Sequence, residues 1–253
     1  MARGTAREVA LIVGGGPGIS ASCARLFARE GMAVAVAARN PEKKVLINLE
    51  SECGARRYGC DAADPPSVAT LFERVSDDLG PPTLVVHNID GRVAEIFRKE
   101  ITEAEPELVR QTLTNSALSA FNVGQAAAKS MLAREPDAQG LRGTIIFTNA
   151  SAAMKGYPKS AAFAMACHAK SGLAESMARE LMPQGIHVAQ VPVDAAIGWT
   201  QPDGTRAHRL AGQTVDDNMA DPDHIALTYL HLHRQHRSTW AFEIVLRPWV
   251  ERW

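Results

Sequence analysis

The chain's most chemically suggestive stretch is V13-G-G-G-P-G-I-S20, with four glycines between an apolar run and a helix-favouring segment. Residues without a Cβ let a phosphorylated ligand come close to backbone N–H groups and to the start of a helix. Gly14, Gly16, Gly18 and Ile19 are the candidate contacts. A tight turn holding no ligand also explains the glycines when they are considered alone. Farther along, A37-A38-R39-N40 ends a second apolar run with an arginine where a carboxylate would select free ribose hydroxyls. Arg39 is therefore a candidate for pairing with a 2′-phosphate, which favours NADP(H) over NAD(H), unless it is a solvated loop charge. Asp61 and Asn88 close the third and fourth apolar runs. They are ligand candidates by position, and each can equally cap a turn or a helix start.

Such residues act together only if one edge of a sheet gathers them. Apolar runs beginning near residues 8, 32, 56, 83, 143 and 185 alternate with stretches of helical spacing, such as Ile19, Cys23, Leu26 and Phe27. Strict alternation of this kind implies parallel strands joined by crossover helices. The expected fold is a Rossmann-type, doubly wound α/β sheet with helices on both faces. Two long small-residue helices are expected at about 105–134 and 161–182, a variable lid-like loop at about 197–221, and a terminal strand near WAFEIVLRP.

A length of 253 residues suits one dinucleotide-binding domain spanning 1–253. With 46% hydrophobic and 22% charged residues and a net charge of −1, there is no electrostatic case for nucleic acid or an anionic membrane. Cys23, Cys53, Cys60 and Cys167 form no CxxC pair, and the N-terminal run lacks a leader pattern or spanning length. A reduced, cytoplasmic protein is expected. In H231-L-H-R-Q-H236 the first two histidines point about 200° apart on a helix, so no metal site is assigned.

The order of motifs resembles the short-chain dehydrogenase/reductase superfamily over nearly the whole chain. The resemblance places that family's glycine turn on Gly14, Gly18 and Ser20, its acidic adenine contact on Asp61, and its NNAG segment on His87–Asp90. Its helix-borne active-site asparagine falls on Asn115. It implies a homodimer or homotetramer packed through the two long helices and an oxidoreductase acting on an unknown carbonyl or alcohol. Aligned without gaps from QGIHV, however, the catalytic Tyr-x-x-x-Lys pair falls on Phe163 and Cys167, and the catalytic serine on Ala150. Phenylalanine has no exchangeable ring proton, alanine no hydroxyl, and cysteine no permanent cation. The proline and glycine expected after the sixth strand are Val193 and Asp194.

Lys170, Tyr157, Lys155, Ser151, Asn149 and His168 lie near enough in sequence to stand in, yet each reads more simply as a surface, turn or packing residue. Two functions are thus open: an oxidoreductase with rearranged proton transfer, or a dinucleotide-binding pseudoenzyme serving as sensor or scaffold.

Overall fold

The computed structural model describes residues 7–200, 205–208 and 218–252, the side chains of 206–208 excepted. Six parallel strands, β1 (Val9–Val13), β2 (Ala33–Ala38), β3 (Arg56–Gly59), β4 (Leu84–His87), β5 (Gly143–Ala150) and β6 (Ile186–Val193), lie in the order β3-β2-β1-β4-β5-β6. Every residue of β1, β2, β4 and β6 is buried, as continuous apolar strands covered on both faces must be.

Period-two alternation sorts the side chains into two cores. Ala10 and Ile12 point toward a layer built with Phe27 and Tyr229. Val9, Leu11 and Val13 point toward one containing Phe72, Met131 and Phe147. Helices α1 (Ile19–Arg29), α2 (Lys44–Cys53) and α7 (Pro222–Arg234) contribute to the first layer. Those of α3 (Pro65–Leu79), α5 (Ser119–Leu132) and α6 (Ala161–Leu181) contribute to the second. Tyr229 is fully buried because its hydroxyl meets Thr148 Oγ1 at 2.7 Å, which satisfies its polar end.

Strands β2 and β4 both pair with β1, so the chain winds outward to β3 on one side and then returns past β1 to continue with β4 on the other. That switch opens a crevice beyond the carboxyl ends of the strands, where Gly14 and Asn88 sit. Among the described residues no helix is long and apolar enough to cross a membrane.

Three local expectations change. The helix expected from residue 105 is interrupted: α4 (Pro106–Leu113) passes through a π-helical segment at Thr114–Leu118 before α5. The WAFEIVLRP stretch runs parallel to β6 and joins it only through bridges Gln190–Glu243 and Val193–Leu246, so it does not form a full strand. The 197–221 stretch, expected as a loop, holds a short ladder in which Gly198–Thr200 (β7) pairs antiparallel with Arg206–His208 (β8). Residues 201–204 and 209–217 of that loop lie outside the described residues. Of the histidines of α7, His233 is largely buried and pairs with Thr144 Oγ1 (2.9 Å) and Glu8 (3.2 Å), whereas His224 and His231 are exposed.

Candidate active site

At the glycine turn, the amides of Gly14 and Gly15 both donate to the Ala37 carbonyl at 2.9 Å, folding the chain back over β2. Gly14 has φ 110°, and a Cβ there would lie 2.3 Å from the Asn88 carbonyl oxygen, so only glycine fits where β1 and β4 converge. Ser20 hydroxyl donates to the Gly14 carbonyl (2.8 Å), and the Asn88 side-chain amide donates to Ser20 (2.7 Å). The serine in place of the family's third glycine is therefore a brace, and Asn88 acts through it. Gly16 differs: a Cβ there meets nothing within 4 Å. The turn faces open space, and α1 starts without a side-chain cap. An uncapped helix start beside empty space and bare glycine suits a pyrophosphate.

That space continues as a cavity of about 890 Å³ from Gly14, Gly16, Gly18 and Ile19, past Asn88–Asp90, to Ala150, Phe163, Cys167 and Lys170. Arg39 stands exposed at the end of β2 and is not part of its wall. Asp61 is also exposed, and its carboxylate accepts the Ala63 amide (3.0 Å), a turn-capping contact. Lys43, which the sequence reading passed over, sends Nζ to within 3.4 Å of the Gly15 carbonyl and puts a second cation beside the turn.

The inner end departs most from expectation. Ala150, Phe163 and Cys167 do line the cavity together. Burial pushes the Cys167 thiol up to about 11, leaving it protonated at neutral pH. Lys170, expected at a surface, is 2% exposed. It is two helical turns beyond Phe163, and helical side chains lean toward the N-terminus, so its long stem recovers part of that rise. Its ammonium donates to the carbonyls of Ile89 and Thr148, each at 3.2 Å, joining the ends of β4 and β5. Desolvation pulls its pKa down, opposed by Cys167 and Asp90. His87, fully buried, pairs with Ser119 at 2.9 Å; burial first and Lys170 second hold its imidazole neutral.

Asn115 lies in the π-helical segment and is not part of the cavity wall; its carbonyl accepts the Ser119 hydroxyl at 2.7 Å. Asn149 touches the cavity, but its amide is committed to packing, donating to the Cys167 carbonyl and to Ser171 (3.0 Å each). His168 is exposed and bonded to the Ala164 carbonyl. Ser151 and Tyr157 line the cavity, the latter at its exposed rim.

Asp194, in the family's Pro-Gly position, is buried and paired with Lys155 (2.8 Å) and Arg247 (2.9 Å). Lys155 also approaches Glu251 (3.5 Å), and its pKa is raised chiefly by its hydrogen bond to Asp194. The cluster joins the end of β6, the β5–α6 loop and the C-terminal segment along one wall. Nothing about an aspartate after an apolar run marks this, because both its cations are distant in sequence.

Residues 14–241 match a family model described as enoyl-(acyl carrier protein) reductase. The 3-oxoacyl-[acyl-carrier-protein] reductase MabA of Mycobacterium tuberculosis is 30% identical over 198 residues, covering 78% of this chain and 71% of that protein. A short-chain dehydrogenase from Rhodopseudomonas palustris is 29% identical and superposes with a TM-score of 0.75 over 96% of this chain and all of that one. A metagenomic short-chain oxidoreductase in complex with NADP is 23% identical and shares the fold, with a TM-score of 0.75 over 95% and 97% of the chains. With the parallel sheet in 3-2-1-4-5-6 order and the glycine turn at its switch point, the match places the chain in the short-chain dehydrogenase/reductase superfamily.

Proposed function

We propose that the chain is an NADP(H)-dependent oxidoreductase in which Lys170 takes over the proton handling of the absent Ser-Tyr-Lys set. The observation that carries this reading is the buried Lys170 ammonium on the cavity wall beside Phe163 and Cys167, in a cavity that begins at the glycine turn. Gly14, Gly16, Gly18 and Ile19 would hold the pyrophosphate, and Asn88 would keep the turn in shape. Arg39 and Lys43 are the cations for the 2′-phosphate, and Asp61 the candidate at the adenine end. Bound there, the reduced dinucleotide supplies hydride to a carbonyl carbon.

The carbonyl oxygen must then gain one proton. Its burial makes Lys170 a stronger acid than a solvated lysine, so it gives up that proton more readily. In the oxidising direction the neutral amine accepts a proton from the alcohol. Its two carbonyl partners hold Nζ at the ends of β4 and β5. Asp194, on the cavity wall and held by Lys155 and Arg247, fixes the end of β6. The exposed Phe121 and Met165, on α5 and α6, are the apolar surface through which we expect the chain to self-associate. Light scattering on Phe121→Glu would then report a shift to monomer.

The test is titration with NADPH and NADH, followed by turnover over a carbonyl panel. NADPH should bind more tightly, and Arg39→Ala with Lys43→Ala should erase that preference. Lys170→Met should lower kcat about 10²- to 10⁴-fold, the usual range for a general acid, and remove a limb of the pH–rate profile. Loss of activity on changing Tyr157→Phe but not Lys170 would move the role to Tyr157. Tight NADPH binding with no turnover on any substrate would leave the pseudoenzyme reading.

A further inference from the structure

The outer end of the cavity is organised around cations. Only two non-glycine residues among those described have positive φ, Arg98 (62°) and Lys159 (60°), and both line this cavity. Long side chains occupy the left-handed region at a cost, and such strain gathers where a site requires a particular direction. Two phenyl rings hold the neighbouring guanidiniums. Arg92 lies 3.9 Å from the centroid of Phe163 and 5.6 Å from that of Phe97, and Arg98 lies 5.3 Å from that of Phe97.

Nearby carboxylates are drawn to particular partners: Asp90 to Arg92 (3.3 Å), Glu100 to Lys159 (2.7 Å), and Asp194 to Lys155 and Arg247. Among the described residues, no carboxylate forms an ion pair with Arg98. A guanidinium carries five N–H donors in a planar fork, so contact with a ring or one carboxylate leaves donor capacity for a second anion. Arg92 therefore occupies the place beside the tyrosine-equivalent position where the reacting end of a substrate would arrive, with Arg98 further out at the rim.

We propose that the substrate is a carboxylate-bearing carbonyl compound, an oxo acid or the corresponding hydroxy acid, gripped by Arg98 at the rim and by Arg92 next to the reacting carbon. The inference rests on the oxidoreductase reading and names its substrate class. The wall also carries Phe97, Tyr157, Phe163 and Trp199, aromatic surface for the rest of the molecule, while its carboxylate Glu251 is paired with Lys155.

The test uses matched pairs: alkyl and aryl oxo acids, their methyl esters, and oxo phosphate monoesters of similar length, each with the NADPH-loaded protein. Binding is read by calorimetry and turnover by NADPH absorbance. We expect acids to bind at least tenfold more tightly than their esters, with the advantage shrinking as salt rises. Arg98→Gln should remove most of that advantage, leaving what Arg92 supplies, with NADPH affinity unchanged, and Arg98→Lys should restore part of it. Acids and esters binding alike, with NADPH bound normally, would overturn the substrate class and leave the oxidoreductase reading standing. Preference for the phosphate monoesters would overturn the carboxylate assignment, whereas failure to bind NADPH would remove the reading beneath both.

Discussion

Two alanine substitutions two residues apart in the glycine turn should have opposite effects. At Gly16 the backbone is not in the positive-φ region and an added Cβ meets no atom within 4 Å. Gly16→Ala should therefore leave stability unchanged or raise it by about 0.4–1 kcal/mol through the lower entropy of the unfolded chain. For a chain of this size that is about 1–4 °C in melting temperature. The new methyl group stands where a pyrophosphate would meet the backbone. Loss of one charge-assisted hydrogen bond, about 1.5–3 kcal/mol, should weaken NADPH binding roughly 10- to 150-fold. At Gly14 the same methyl meets the Asn88 carbonyl at 2.3 Å, with φ at 110°. Backbone strain of about 1–2 kcal/mol and overpacking of about 1–3 kcal/mol should lower stability by roughly 2–5 kcal/mol. The assays are thermal denaturation followed by circular dichroism and NADPH titration followed by tryptophan fluorescence. If Gly16→Ala binds NADPH as tightly as the parent protein, the space over the glycines is not the pyrophosphate seat and the cofactor assignment falls.

Asp194→Ala should cost about 2–4 kcal/mol, because it removes the buried carboxylate that Lys155 and Arg247 share; denaturant unfolding measures this, and a loss under 0.5 kcal/mol would refute the anchoring role. Iodoacetamide at pH 8 should label the partly exposed Cys53 well before Cys167, whose thiol at about 11 ionises roughly a hundredfold less than an ordinary one; mass spectrometry reads the order. The Glu8 carboxyl is held below its usual range, first by its hydrogen bond to His233, against the opposing effect of burial. A depressed carboxylate contributes stability above its unfolded pKa and loses it as pH falls through the folded one. Glu8→Gln should thus unfold more easily than the parent at pH 6–7, and the gap should close in parallel melts as pH falls through the depressed carboxyl's range, below that of an ordinary glutamate.

Fold class was legible because its causes are local and repeated. Each apolar run that now forms β1, β2, β4 or β6 is buried on both faces, and such runs separated by helical spacing admit few topologies. The glycine turn was legible for a similar reason, since close backbone approach shows as a missing side chain. Less local features were not. The π-helical interruption at Thr114–Leu118 carries no Pro or Gly to announce it. The C-terminal segment reads as a strand by composition, but it meets β6 only at two bridges, one of them beside the Arg247–Asp194 pair, which residues far apart in the chain bring together.

The inner end of the cavity divides along the same line. Residue identity alone establishes that positions 150, 163 and 167 cannot move protons as a serine, tyrosine and lysine would, since that is a matter of which atoms are present. Whether Lys170 faces water or the cavity depends on the rotation of α6 against β5 and on two carbonyls contributed from residues 89 and 148. The same holds for the cations that serve Asp194 and for the gathering of Arg92 and Arg98 around Phe97. A short sequence window records what a side chain can do. Packing decides what it is placed against, because its partners are brought there by contacts distributed over the whole chain.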